Sequence, residues 1–130
     1  MFLKGLNTML FSLLMAGCLG LAQPGQAQQL QNFSGEIMDD LCAKDKSHQG
    51  MMEQMKSMSN DPVTCTKKCV ELGAHYVLYD HKKDTVYKID NQEKAEPFAG
   101  KQVRIQGTVQ KNKLKIASIE ASGSPPGTSK

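Results

Sequence analysis

Cys42, Cys65 and Cys69, together with His48, are the residues of this sequence whose types and spacing could do chemistry. Of the four cysteines, Cys18 lies in the expected leader, and the three thiols left after it cannot all pair within one chain; three chemistries fit the set. In the first, Cys42 forms a disulfide with Cys65 or Cys69, stapling two parts of a small domain and contributing about 2–4 kcal/mol. The third cysteine is then free and buried, or joined to a second chain. In the second, Cys42, His48, Cys65 and Cys69 close around a metal. Three sulfurs and an imidazole make a tetrahedral set for zinc, and soft thiolates near methionine also suit Cu(I). In the third, Cys65 is an exposed thiolate near a helix start, where the helix dipole, Lys67 and Lys68 lower its pKa, and Cys69 or Cys42 resolves it. Neither a Cys-x-x-Cys pair nor a thioredoxin-like βαβ pattern accompanies that third chemistry. The staple is the leading reading, metal the second and thiol redox the third, and the residues alone leave all three open.

No other constellation suggests catalysis. Asp39 and Asp40 precede Leu41-Cys42, and adjacent acids at a strand end read as a solvated turn. His75 and His81 flank a strand at surface or edge positions, without a Ser or Asp motif that would suggest hydrolysis. The protein is expected not to be an enzyme.

The elements that must position the cysteines follow from capping and periodicity. Asp61 before Pro62 reads as an N-cap with proline at the first helical position, and Gly73 as a stop, so a helix is expected over about Pro62 to Leu72. Cys65 and Cys69, four apart, then project from one face. Met51, Met55 and Met58, with Met52 adjacent, give a second short helical pattern that reads as flexible core filling. Phe33 to Met38 is the first expected strand. His75 to Asp80 and Thr85 to Asp90 are β-rich runs joined by the polar link His81-Lys82-Lys83-Asp84, which suits a hairpin. Val103, Ile105, Gly107 and Val109 alternate with Arg104, Gln106, Thr108 and Gln110. Lys111-Asn112 then turns the chain into Lys113 to Ala121, where Leu114 and Ile116 alternate with lysines. Five strands result, with one or two short helices between strands one and two. Val103, Ile105, Val109, Leu114 and Ile116 are expected to point inward.

The ends and the charge set the surroundings. Lys4, the apolar run Met9 to Ala22 and the small-x-small site Gly25-Gln26-Ala27 read as a signal peptide over residues 1–27. The run is shorter than the about 20 residues that span a bilayer, so no integral membrane span is expected. Ala16-Gly17-Cys18 offers the alternative of a lipid anchor on Cys18. Either route places the protein outside the cytoplasm, periplasmic or secreted. Residues 28–32 are a polar lead-in, 33–121 the single domain, and 122–130 a Gly/Ser/Pro-rich tail expected to be disordered. The net charge is +3 for the full chain, one unit less once Lys4 leaves with the leader. With basic residues scattered among acids, nucleic acid is not an expected partner. The partner is instead an unidentified ligand or envelope protein, and the chain is expected to be a monomer, with an intermolecular disulfide left open.

The order Phe33-Ser34-Gly35-Glu36-Ile37, then helix, then Tyr76-Val77-Leu78-Tyr79-Asp80, Val86-Tyr87-Lys88-Ile89-Asp90 and Gly100 to Val109 resembles the small exported bacterial OB-fold proteins. It looks still more like a group of secreted bacterial domains of unknown function with a cysteine after the first strand and a Cys-x-x-x-Cys helix before the Tyr-Val-Leu strand. The likeness spans roughly Phe33 to Glu120, judged by pattern. It implies a mainly β fold, a five-stranded OB-like barrel, and brings no catalytic residues with it. OB barrels bind oligonucleotides or sugars on stacking aromatics. Of the candidates Tyr76, Tyr79 and Tyr87, the first two are three apart on one strand and face opposite sides, so at most two share a platform. The functional expectation is a non-enzymatic binding or envelope-accessory module with a cysteine-stapled helix. The alternative is a protein that binds zinc or copper, or does thiol redox chemistry, through Cys42, His48, Cys65 and Cys69.

Overall fold

A computed structural model describes residues 28–54 and 61–123. The expected leader, Met55 and Met58 of the methionine pattern, and the tail from Ser124 onward lie outside the described residues. Over the described residues the fold is mainly β, with five strands: β1 Gln31–Asp39, β2 Tyr76–Asp80, β3 Thr85–Ile89, β4 Gln102–Gln110 and β5 Lys113–Ala121. Short helices connect them. α1 Gln49–Gln54 and α2 Pro62–Glu71 lie between β1 and β2, preceded by a 3-10 turn at Cys42–Lys44, while α3 Gln92–Ala95 and a 3-10 turn at Glu96–Phe98 lie between β3 and β4.

The pairings run β1-β2-β3-β5-β4 and return to β1, so the sheet closes on itself. All pairs are antiparallel except β3 with β5, which is parallel. Closure places Phe33, Ile37, Leu78, Val103, Ile105, Leu114 and Ile116 in one apolar core. Val103, Ile105, Leu114 and Ile116 thus face inward as their alternation requires, with Val109 partly buried against the same core and Arg104 and Gln106 exposed. Turn chemistry agrees. Lys111 and Asn112 both have positive φ, at 47° and 63°, as the two-residue hairpin turn that matches strand twist demands. In the β2–β3 link, Asp80 Oδ1 accepts from the amides of Lys82 at 3.0 Å and Lys83 at 3.1 Å.

Two features depart from expectation. Strand β1 begins at Gln31, because Gln31 and Asn32 pair with Gly107 and Gln106 of β4, so only residues 28–30 remain of the polar lead-in. The helix placement also differs, since α3 and its following turn were not anticipated. That segment is held by its polar side chains rather than by a helical apolar stripe. Gln92 Oε1 accepts from the Tyr76 amide at 2.7 Å and its Nε2 donates to Tyr76 O and Ile89 O, each at 2.9 Å. The small residues Ala95 and Ala99, 0% and 1% exposed, then pack onto the core. Four helical residues are too few to display a period.

A second layer covers part of the outer surface of the sheet. All five residues of β2 are buried, because both of its faces are covered. Tyr76 and Leu78 enter the central core, while Val77 and Tyr79 join Met38, Cys42, Ala43, Cys65 and Cys69 in a separate cluster. Tyr76 and Tyr79 do face opposite sides, and Tyr87 packs edge-on against Phe33 with ring centroids 5.3 Å apart. No helix among the described residues is long and apolar enough to cross a membrane.

Candidate metal centre

The chain reaches the second layer through a turn at the end of β1. Asp39 Oδ1 accepts from the amides of Leu41 at 3.1 Å and Cys42 at 2.9 Å, so this carboxylate caps the 3-10 turn and fixes where Cys42 emerges. Helix α2 approaches from the other side. Its cap is Asp61, whose Oδ1 accepts from the Thr64 amide at 2.9 Å and whose Oδ2 accepts from the Thr64 hydroxyl at 2.7 Å. The helix start sits against Gly100, where φ is +69° and a Cβ would lie 2.5 Å from Val63 N. Only glycine permits that approach. The buried face of α2 then carries Cys65, Thr66 and Cys69.

These two supports bring the three cysteines together. Their sulfurs all lie within 4.8 Å of one another, and the side chains are only 2%, 3% and 2% exposed for Cys42, Cys65 and Cys69. Cys42 Sγ and Cys65 Sγ are 3.9 Å apart and all three cysteines are free thiols, whereas a disulfide requires about 2.05 Å. The expected staple is therefore not formed. What holds α2 in place here is its close approach to Gly100 and the apolar packing of Cys65 and Cys69 with Met38 and Val77, while the Asp61 cap secures the helix's own first turn.

His48 belongs to the same neighbourhood. It is 7% exposed, and one of its ring nitrogens lies within 4.8 Å of both the Cys42 sulfur and an Asp39 carboxylate oxygen. Cys42 is thus shared by two groups, one with Cys65 and Cys69 and one with Asp39 and His48. His48 Nε2 is 2.7 Å from Glu36 Oε1, and Glu36 Oε2 accepts from Gln102 Nε2 at 3.2 Å. Among the described residues, three buried polar atoms have no hydrogen-bond partner: His48 Nδ1, Asp39 Oδ2 and Thr66 Oγ1. Orphaned groups of this kind are costly inside a protein and call for an explanation such as an ion.

The electrostatics oppose the redox chemistry expected of Cys65. Burial, reinforced by the Asp39 charge, pushes the Cys42 thiol far up and the Cys69 thiol up to about 11. Burial raises Cys65 as well, against hydrogen bonds from Cys42 and Cys69 that pull the other way. Cys65 is neither exposed nor a ready thiolate, because burial outweighs the hydrogen bonds that favour its charged form. A bound cation reverses this balance, since a coordinating thiol loses its proton outright. The three sulfurs form one group that could hold a metal ion, and Cys42 with Asp39 and His48 forms a second that shares a ligand with it.

Two residues of this site were not picked out by sequence reasoning. Asp39 is 0% exposed and sits among the thiols, not in a solvated turn; its place as a cap ahead of a short turn was the available signal. Glu36 lies on the outward face of β1, and nothing local in the sequence says that this face is covered. His75 stays at the surface, with its side chain 71% exposed and 3.7 Å from Asp40. His81 is 3.5 Å from Glu36 Oε2 and packs at a tilt against Tyr79, with centroids 4.3 Å apart and ring planes at 58°.

Compared with protein-family models, curated proteins and solved structures, the chain matches none of them.

Proposed function

We propose that this chain is an exported, non-enzymatic OB-like domain that holds a thiolate-ligated metal ion, zinc or Cu(I), between its closed sheet and helix α2. The observation that carries the reading is the convergence of three free, buried sulfurs within 4.8 Å. For a tetrahedral ion with bonds of about 2.3 Å to sulfur, the sulfur-to-sulfur edge is about 3.8 Å, close to the 3.9 Å between Cys42 and Cys65. Burial on this scale suits a closed structural site, not a catalytic one with an open position. The ion does the work a disulfide staple would have done, tying the turn after β1 to the helix. Support for the OB-like barrel is the closed five-stranded order with its β3–β5 crossover. Export rests on the leader pattern of residues 1–27, with lipid on Cys18 as the variant form, and the proposed location is periplasmic or secreted. Any further partner is an envelope protein or small ligand rather than nucleic acid.

The test is native and denatured mass, with metal analysis, of protein purified anaerobically from its own compartment. The expected result is a bound ion in the native spectrum that disappears on denaturation and in a Cys65→Ser/Cys69→Ser variant. A metal-free native mass, or a two-proton mass deficit from a disulfide, sinks the reading. One feature keeps a plain binding module in view as a second reading. A cleft of about 590 Å³ is lined by Phe33, Lys83, Arg104, Ile105 and Ile119, with Lys83 Nζ 5.6 Å from the centre of the Phe33 ring. Envelope extracts in which a ligand protects these residues from labelling would favour it.

A further inference from the structure

We infer that His48 Nδ1 is the fourth donor of the thiolate site, that Glu36 is the positioning residue that presents it, and that the resulting set of three sulfurs and one nitrogen selects a zinc-type divalent ion over Cu(I). This rests on the metal-site reading above and goes further by naming the fourth ligand atom and the metal class.

Glu36 reaches His48 from the outward face of β1. It is 8% exposed yet fully engaged, with Oε1 at 2.7 Å from His48 Nε2 and Oε2 taken up by Gln102 at 3.2 Å and facing His81 Nε2 at 3.5 Å. A carboxylate oxygen accepts, so the Nε2 that faces Glu36 is the donating nitrogen of the ring and the lone pair belongs on Nδ1. Nδ1 is the ring nitrogen that is buried without a partner. A histidine with one nitrogen on a carboxylate and a free lone pair on the other is the arrangement by which proteins orient a metal-binding imidazole. The carboxylate fixes both the tautomer and the ring plane.

Asp39 is the rival, since its Oδ2 is equally buried and unpartnered. One consideration turns against it. Its Oδ1 is tied to the Leu41 and Cys42 amides, which pins the carboxylate to the turn. Charge bears on the metal instead. Asp39 is buried beside the thiols whether or not it ligates, and three thiolates leave a divalent ion with one excess negative charge but a monovalent ion with two. In a fully buried site the smaller excess is favoured. His48 is grouped with Cys42 and Asp39, not with all three cysteines, so completing the shell asks the ring to move toward Cys65 and Cys69.

The experiment uses the full chain, reduced and metal-free, titrated anaerobically with Zn(II), with Co(II) as a spectroscopic probe and with Cu(I) against a competing chelator. X-ray absorption of the zinc form should show three sulfurs and one imidazole nitrogen. His48→Ala and Glu36→Leu should weaken zinc by about 10–100-fold and shift the Co(II) bands away from the tetrahedral pattern, while leaving Cu(I) affinity unchanged. Glu36→Gln, whose amide oxygen still accepts from Nε2, should restore most of the zinc affinity, a rescue that a merely structural role would not give. Unfolding midpoints of the metal-free variants separate loss of ligation from loss of fold. If Glu36→Leu fails to fold, the wild-type absorption spectrum and Glu36→Gln still decide. The inference is overturned if no imidazole appears in the spectrum, if Asp39→Asn rather than His48→Ala abolishes zinc binding, or if Cu(I) displaces zinc without any dependence on His48. In those cases the thiolate site stands. Wild type that binds neither ion any better than Cys65→Ser/Cys69→Ser overturns the site itself, and this inference with it.

Discussion

At the scale of single residues, the three thiols are protonated sulfurs packed as small apolar groups, and their chemistry is governed by what surrounds them. Burial outranks every other influence on Cys42, Cys65 and Cys69, with the Asp39 charge adding to it. Metal-free protein should therefore react with alkylating reagents at neutral pH far more slowly than the same protein in urea. The Cys69 thiol, pushed up to about 11, is expected to gain reactivity only toward strongly alkaline pH. Mass-resolved alkylation against time at several pH values checks this, and fast labelling of Cys65 at pH 7 would return thiol chemistry to contention. Loading the metal should release protons into unbuffered solution, because ligation turns thiol into thiolate.

At the scale of elements, α2 is the part whose placement decides whether a site exists. Its cap is an ionised Asp61, held below the usual carboxylate range chiefly by the Thr64 amide and then by the Thr64 hydroxyl. A carboxyl whose folded pKa is lowered stabilises the native state above the unfolded value, and that contribution disappears as pH falls from about 4 through the folded pKa. Asp61→Asn, which still caps but does not titrate, should hold the helix at neutral pH and flatten the acid limb of the unfolding curve. Asp61→Ala should fray the helix at every pH, visible as faster hydrogen exchange at the Thr64 and Cys65 amides. Gly100 tests the other support. With φ at +69° and backbone atoms of Pro62 and Val63 within 2.6 Å of any Cβ, Gly100→Ala combines backbone strain of about 1–3 kcal/mol with a displaced helix start. Chemical denaturation should show the stability loss, and zinc affinity should drop alongside it.

At the scale of the whole molecule, two cores share the β1–β2 surface: the enclosed apolar core, and the cysteine cluster beneath α2. They should respond differently to perturbation. Leu78, 0% exposed in the enclosed core, should cost about 2–5 kcal/mol when cut to alanine, with or without metal. Removing the ion should cost what linkage allows, about 2.7 kcal/mol when free metal stands at a hundred times its dissociation constant. Urea titrations of wild type and Leu78→Ala, each with zinc and with chelator, separate the two contributions. A chelator effect that vanishes in Cys65→Ser/Cys69→Ser assigns it to the cluster, while one that persists assigns it elsewhere.

How much of this was legible in the sequence divides along the range of the interactions. The five strands, the Lys111-Asn112 turn, the inward set on β4 and β5, and α2 with its Asp61 cap and its two cysteines on one face were all readable. Each is written in neighbours a few residues apart, through strand alternation, turn residues and caps. The short helix α3 was not, because Gln92 is satisfied largely by the amide and carbonyl of Tyr76, which only the folded sheet brings near. The candidate site was half legible. The sequence alone names Cys42, His48, Cys65 and Cys69, because soft side chains are rare enough to stand out. Tertiary structure decided that Cys42 meets the α2 face without bonding to it, that His48 turns inward onto Glu36, and that Asp39 is buried among the thiols. All three depend on the outer face of β1 and β2 being covered. A period of two marks which residues share a face and says nothing of what lies against it.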